Sequence, residues 1–223
     1  MTVAHALTMS LGIEWDESLP YTDPRNSEIA MERSPDRYRF ILERPFVTEP
    51  GTVWKYKGGA TALLAHLISK GTETPLIDFA RVNLFDPLGI NDFEWVSGMN
   101  REPSAASGLR LRPRDLAKIG QLMLNRGRWG EQQIVPAEWI DASTEPRLPV
   151  DDEIEYGYQW WLGKGRDGQP WVGGFGNGGQ RVIIMSSREM VVTVMAGSYN
   201  SSDARKLIVS IIGEFLLPAL HEN

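Results

Sequence analysis

Cysteine is absent from the 223 residues, which excludes disulfides, thiolate metal sites and a cysteine nucleophile while leaving the redox compartment undecided. Histidine is scarce, with three residues, and His5 has no second histidine near it, so it reads as a packing or capping residue and not as a metal ligand. Long apolar runs are missing too. The longest, such as Val182-Ile183-Ile184-Met185, are strand-sized and far short of the ~20 residues a bilayer requires. Met1 to Ser10 lack the basic start and long apolar stretch of a secretory signal, so the compartment stays open. Positive charge is not concentrated either. The 23 Lys and Arg are scattered among 29 Asp and Glu, for a net charge of −6, and no basic stripe is available to track a phosphate backbone, which argues against a nucleic-acid partner.

What is present suits an ordinary folded protein: 42% hydrophobic against 23% charged residues is enough to bury a substantial core. Residues 1–150 read as short helices with long connections. Thr2 caps a first helix running through Ser10, with Gly12 ending it, and Ser34-Pro35 opens another whose face carries Tyr38, Ile41 and Leu42. Leu63, Leu64, Leu67 and Ile68 recur at helical spacing between Gly59 and Lys70, with Gly71 expected just past the end. Thr74-Pro75 starts a helix with Leu76, Phe79 and Ala80. Pro113 to Asn125 aligns Leu116, Ile119, Leu122 and Met123, and Pro136 opens one more with Trp139 and Ile140.

The character changes at the acidic, turn-rich Pro149-Val150-Asp151-Asp152, taken as a boundary between an α-rich part, 1–150, and a β part, 151–223. Beyond it, Tyr156 to Leu162, Arg181 to Ser186 and Met190 to Ala196 are rich in β-branched and aromatic residues. The last two flank Ser187-Arg188-Glu189 as a hairpin, and their near-continuous apolar runs predict burial on both faces. Ser201 or Ser202 caps a closing helix with Leu207, Ile208, Ile211, Ile212 and Phe215 in one stripe.

Four stretches, Met1 to Trp15, Glu49 to Leu64, Ser107 to Trp129 and Gly173 to Gln180, taken together resemble the serine β-lactamase, penicillin-binding-protein and esterase-type hydrolases of the class C β-lactamase-like kind. Thr2, Val3, His5, Leu7, Thr8, Met9 and Gly12 match a phrase that follows the nucleophile helix in that family. Glu49-Pro50-Gly51-Thr52-Val53-Trp54-Lys55-Tyr56-Lys57-Gly58 resembles its Pro-Gly-x-x-(aromatic)-x-Tyr-x-Asn signature, which implies Tyr56 as general base and later acid. Gly58 stands where the signature has Asn, so one polar contact is lost or comes from elsewhere. Ser107 to Ala117 resembles a scaffold phrase leading into a helix. Gly176-Asn177-Gly178-Gly179-Gln180 falls where the family has Lys-Thr-Gly or His-x-Gly, implying that Asn177, Gly178 and Gly179 bind substrate at a strand edge. A neutral Asn177 in place of a cation favours an ester or amide over a carboxylate-bearing β-lactam. Trp160, Trp161, Trp171 and Phe175 are candidates to wall an apolar acyl pocket, although core packing is the commoner role of such residues.

The fold implied is α+β and β-lactamase/transpeptidase-like: an antiparallel sheet flanked by helices, an α-rich subdomain, and N-terminal elements missing because they would precede Met1. A tyrosine, with an ordinary pKa of about 10, serves as a base near neutrality only beside positive charge. The family supplies it from Ser-x-x-Lys, and no serine here has a lysine three residues on. Ser34 to Arg37, Ser107 to Arg110 and Ser202 to Arg205 come closest, and arginine, with a pKa above about 12, cannot exchange the proton. The resemblance therefore implies a small-molecule acyl substrate, no cofactor or metal, and a chain inactive by itself. It also implies self-association or complementation through the surface left by the missing segment. The alternative is a non-catalytic truncated homologue that binds a ligand or partner.

Overall fold

A computed structural model of the chain describes residues 1–199, 201, 208 and 210–219. Helices and antiparallel strands are mixed, and the sheets are flanked by helices. The first helix, α1 (Val3–Leu7), is capped by the Thr2 hydroxyl, which accepts from His5 N–H. It ends earlier than the sequence suggests because Met9 takes a left-handed conformation, φ +55°, an uncommon state for a side-chain-bearing residue. Next come α2 (Ser27–Glu32), a helix the periodicity does not announce, and α3 (Arg37–Leu42). The cap of α3 is Asp36, which accepts from Arg39 N–H, and not Ser34. Ile41 is fully buried, whereas Leu42 is exposed.

In α4 (Gly58–Thr72) the buried face is Ala60, Ala62 and Ala65, while Leu67 and Ile68 are exposed. Small residues let the helix lie close to its neighbours. A Cβ on Gly59 would meet the Trp15 ring at 2.7 Å. Gly71 lies inside the helix, and Glu73, at φ +52°, ends it. A fifth helix, α5 (Leu76–Ala80), runs on as a π-turn, Arg81–Phe85. Then β1 (Phe93–Trp95) pairs with β2 (Leu109–Leu111). The sixth, α6 (Pro113–Leu124), ends as expected ahead of Gly127, φ +82°, and β3 (Arg128–Trp129) pairs with β4 (Gln132–Gln133). In α7 (Ala137–Ser143) Ile140 is buried and Trp139 exposed.

The main sheet is a six-stranded antiparallel meander in chain order: β5 (Leu148–Pro149), β6 (Ile154–Tyr156), β7 (Trp161–Lys164), β8 (Pro170–Phe175), β9 (Arg181–Met185) and β10 (Met190–Val194). The stretch expected as one strand over Tyr156 to Leu162 is a hairpin instead. Gln159, φ +63°, reverses the chain, and Tyr156 pairs with Trp161. The β9–β10 hairpin turns through Ser186–Arg188 and a left-handed Glu189, as the sequence predicts. Burial on both faces holds for parts of β9 alone. Every residue of β10 is half-buried, and within the described sheet this strand pairs on one side only.

One face of the hairpin is covered by α6, where a Cβ on Gly120 would overlap Val191 and approach Val182 Cγ2 at 3.0 Å. The closing segment is a π-turn, Ile211–Leu216, followed by Leu217–Ala219. Ile208 and Ile212 are buried, but Ile211 and Phe215 are exposed. The single expected stripe splits because a π-turn advances five residues per hydrogen bond and rotates the apolar face. Leu207 and Ser202 lie outside the described residues. Two cores result: one gathers Trp15, Met31, Ile41, Ala60 and Tyr156, the other Phe85, Leu88, Ile90 and Leu122. Between the helices, buried Arg37 pairs with Glu32 at 3.0 Å and donates to the carbonyls of Glu102 and Pro103. No helix among the described residues is long and apolar enough to cross a membrane.

Candidate functional site

The Pro50-Gly51 turn is pinned to the residues just after α1. Gly51 N–H donates to the Ser10 carbonyl (2.8 Å) and Lys55 N–H to that of Met9 (3.0 Å). Gly51, φ +91°, faces the His5 ring, which a Cβ there would meet at 3.0 Å. His5 is thus packed against the turn that delivers Tyr56, in keeping with a structural role. Its Nδ1 is buried without a hydrogen-bond partner. Tyr56 follows in extended chain immediately before α4. The helix has no side-chain cap of its own; instead Gly58 N–H donates to Glu17 Oε1 at 2.6 Å. A carboxylate satisfies an orphan amide at a helix start, and the Glu17 carboxylate also accepts from Trp15 Nε1 (2.5 Å) and the Tyr21 hydroxyl (2.9 Å).

Gly58, where the resemblance calls for Asn, makes room for another acid. A Cβ at Gly58 would meet the Glu28 carboxyl group at 3.0 Å. Glu28 is 3% exposed. Burial first, then the charge of Glu17, lifts its carboxyl to about 7, against a hydrogen bond from Ser107 that lowers it. Burial followed by Glu17 and Glu28 also pushes the Tyr56 phenol well above its ordinary value. Lys57, only 2% exposed, is brought down to about 8 by burial and Lys55, with Glu17 opposing. Its ammonium donates to the Lys55 carbonyl at 3.3 Å. Sequence reasoning misses Glu17, Glu28 and Lys57, because no motif joins an acid at 17, one at 28 and a tyrosine at 56. The one available signal is Gly in place of Asn at 58, which says that a polar contact is relocated.

The glycine-rich stretch is the turn between β8 and β9. Gly176 N–H donates to the Gln180 carbonyl (2.9 Å) and Gly179 N–H, with φ +88° at that residue, to the Gly176 carbonyl (3.1 Å). Gly178 N–H donates to Gln180 Oε1 (3.0 Å). In this structure all three glycine amides are engaged inside the turn. Asn177 is exposed at its tip, while Gly178 and Gly179 are buried. Arg181 bonds the Gly176 and Gln180 carbonyls, both at 2.7 Å, with its guanidinium over the Phe175 ring.

Aromatic rings connect the two pieces. Tyr56 stacks on Trp161 (6.1 Å between centroids) and Trp161 on Phe175 (5.5 Å), the residue that leads into the turn. Trp171 lies against Phe175, and Trp54 against Trp161 and Tyr156. Trp160 flanks Gly174. Two surface hollows, one along residues 46–50 and one between the end of α4 and Glu102, lie away from Tyr56. Among the described residues no three His, Asp or Glu side chains are grouped to hold a metal ion.

A family model described as beta-lactamase matches residues 1–211. Among solved structures, the chain is similar to a putative 6-aminohexanoate-dimer hydrolase from Bacillus anthracis, at 22% identity and a TM-score of 0.84, over 99% of this chain and 62% of that one. It is similar also to the octameric penicillin-binding protein homologue from Pyrococcus abyssi, at 20% identity and a TM-score of 0.76, over 100% of this chain and 56% of that one. A D-stereospecific amidohydrolase from Streptomyces shares 17% identity with a TM-score of 0.69, over 96% and 72% of the two chains. The chain thus spans less than two thirds of the length of the first two. No match was found among curated proteins.

Proposed function

The chain belongs to the beta-lactamase family, and from this premise we propose that it carries the tyrosine half of an acyl-transfer site, with the nucleophilic serine and its lysine supplied by polypeptide outside these 223 residues. In that reading Tyr56 takes the serine proton as the serine oxygen attacks an ester, amide or β-lactam carbonyl, and returns it to the leaving group. Asn177, Gly178 and Gly179 form the edge that receives the acyl group. The neutral Asn177 favours an ester or amide, and the amidohydrolase name of the Streptomyces relative points the same way.

One observation carries the proposal: Tyr56 is held on Trp161 in a setting that keeps its phenol protonated, through burial and two neighbouring acids. Such a tyrosine becomes a base only when a cation is brought beside it, and Ser-x-x-Lys is a source of one. A fluorophosphonate probe followed by intact-mass measurement tests this. Residues 1–223 alone should stay unlabelled, and labelling should appear at the serine of an added segment containing Ser-x-x-Lys, to be lost on Tyr56→Phe. Labelling of a serine within the 223 residues would sink the proposal. The engagement of all three glycine amides within their turn favours a second reading, a non-catalytic homologue that binds a ligand or partner. That reading predicts no labelling under either condition. On both readings the outer edge of β10 is proposed as the surface for complementation or self-association.

A further inference from the structure

The Gln180 side chain reaches in two directions. Its Oε1 accepts from Gly178 N–H at 3.0 Å, while its Nε2 donates to the Ala196 carbonyl at 2.7 Å and to the Tyr199 hydroxyl at 3.2 Å. Ser198 N–H answers by donating to the Gly178 carbonyl at 2.9 Å. Three of these bonds lay Met195 to Tyr199, the stretch that leaves β10, across the glycine turn, and the first ties the same Gln180 side chain to Gly178. The Tyr199 ring sits so close over Gly178 that a Cβ there would meet it at 2.7 Å. Yet Tyr199 is 64% exposed, and Gly197 has nothing within 4 Å of where a side chain would start. A segment held by a few surface hydrogen bonds, with little apolar burial, opens at low free energy compared with the strands beneath it.

Resting on the acyl-transfer reading above, we propose that Gln180 is a positioning residue that clasps residues 195–199 over the turn, so that Gly178 N–H meets an acyl carbonyl only when the clasp opens. A single N–H serves one well-aligned acceptor at a time, so Gln180 Oε1 and the carbonyl of a bound amide or ester compete for it. A ligand that needs the open form binds more weakly in proportion to how little of that form is populated. Removing the clasp therefore tightens carbonyl binding, an effect that a purely structural glutamine would not produce.

Amide hydrogen exchange by NMR on the chain, combined with titration by hexanamide, tests the proposal. In the wild type, Gly178 and Ser198 amides should exchange with one shared opening free energy. In Gln180→Ala both should speed at least about tenfold while Ile183 in β9 is unchanged, and hexanamide should bind at least about threefold more tightly. Exchange at Gly178 and Ser198 unmoved by the substitution would overturn the clasp, and wild-type binding of hexanamide would then leave the acyl-transfer reading standing. Faster exchange without tighter binding would also overturn the proposal, reducing the strap to a structural contact. Failure of hexanamide to bind either protein would remove the acyl site itself and the gate with it. Should Gln180→Ala disturb Ile183, Gln180→Met carries the same expectation at Gly178, at Ser198 and for hexanamide, since it keeps the side chain's length and lacks both the acceptor of the Gly178 N–H bond and the donor to Ala196 and Tyr199.

Discussion

Gly58 and Glu28 form a single steric unit, because the carboxyl of one fills the space that a side chain on the other would need. Introducing with Gly58→Asn the residue that the resemblance calls for should therefore destabilise the protein by about 1–3 kcal/mol, the usual cost of overpacking. The Glu28→Ala background should relieve much of that loss, and a double-mutant cycle by urea unfolding gives the coupling. Additive losses would show that the carboxyl does not occupy the space. Glu28 also has a pH signature. Its carboxyl rises from 4.5 to about 7 on folding, so between these values the folded state keeps a proton that the unfolded chain has released. Stability from this group is complete below 4.5 and falls as pH rises toward 7. Glu28→Gln should flatten that slope and raise the urea midpoint near neutrality, whereas an unchanged slope would place the titration elsewhere. The sequence shows the gap at position 58 but not its occupant, since a contact between residues 28 and 58 follows from the fold and from no local spacing.

Elements with strong local signals are legible, and those shaped by a single unusual backbone angle are not. The start and end of α6 follow from Pro113 and Gly127, and the β9–β10 hairpin from its apolar runs. Gln159 at φ +63°, which splits one expected strand into β6 and β7, leaves no mark in composition, because Gln is not a residue that usually takes that conformation. The same holds for α4, where Ala60, Ala62 and Ala65 are buried and Leu63 and Leu64 only partly so, while Leu67 and Ile68 are exposed: close approach to Trp15 outweighs side-chain size. Packing of α6 on the hairpin gives a test at this scale. Gly120→Ala should cost about 1–3 kcal/mol through overlap with Val191 and Val182, even though alanine is the better helix former by about 1 kcal/mol. Val191→Ala should recover part of the loss in thermal melts, and a stabilised Gly120→Ala would refute the contact. In the same hairpin, Ile184→Asp places a charge at a 3% exposed site and should cost several kcal/mol. Ile211→Asp, 48% exposed, should stay within about 0.5 kcal/mol.

At the scale of the whole molecule, the mixed α+β class with an antiparallel sheet flanked by helices is legible in the sequence, while the approach of Glu17 and Glu28 to Tyr56 and the hydrogen bonds of Gln180 depend on chain crossings that no motif encodes. The meander also leaves one edge of consequence. In β10, Met190-Val191-Val192-Thr193-Val194 are uncharged, mostly β-branched and half-buried throughout, and within the described sheet the strand pairs on one side only, with β9. Val191 and Thr193 face α6, through the Gly120 contact and a hydrogen bond to the Pro113 carbonyl, which turns Met190, Val192 and Val194 to the opposite side. A row of open backbone donors and acceptors on such a strand is a template for another strand. For residues 1–223 alone the expected outcome is association, with sedimentation velocity showing a rise in average mass as concentration increases. Val192→Lys places a charge at the edge and should shift the protein toward monomer without changing its far-UV spectrum, since an edge lysine hinders strand pairing far more than it disturbs a half-exposed position. A wild-type monomer over a hundredfold concentration range would show that the edge is already covered. Association that Val192→Lys leaves unchanged would move the contact to another surface, with the exposed Phe46, Val47 and Val53 the next to substitute.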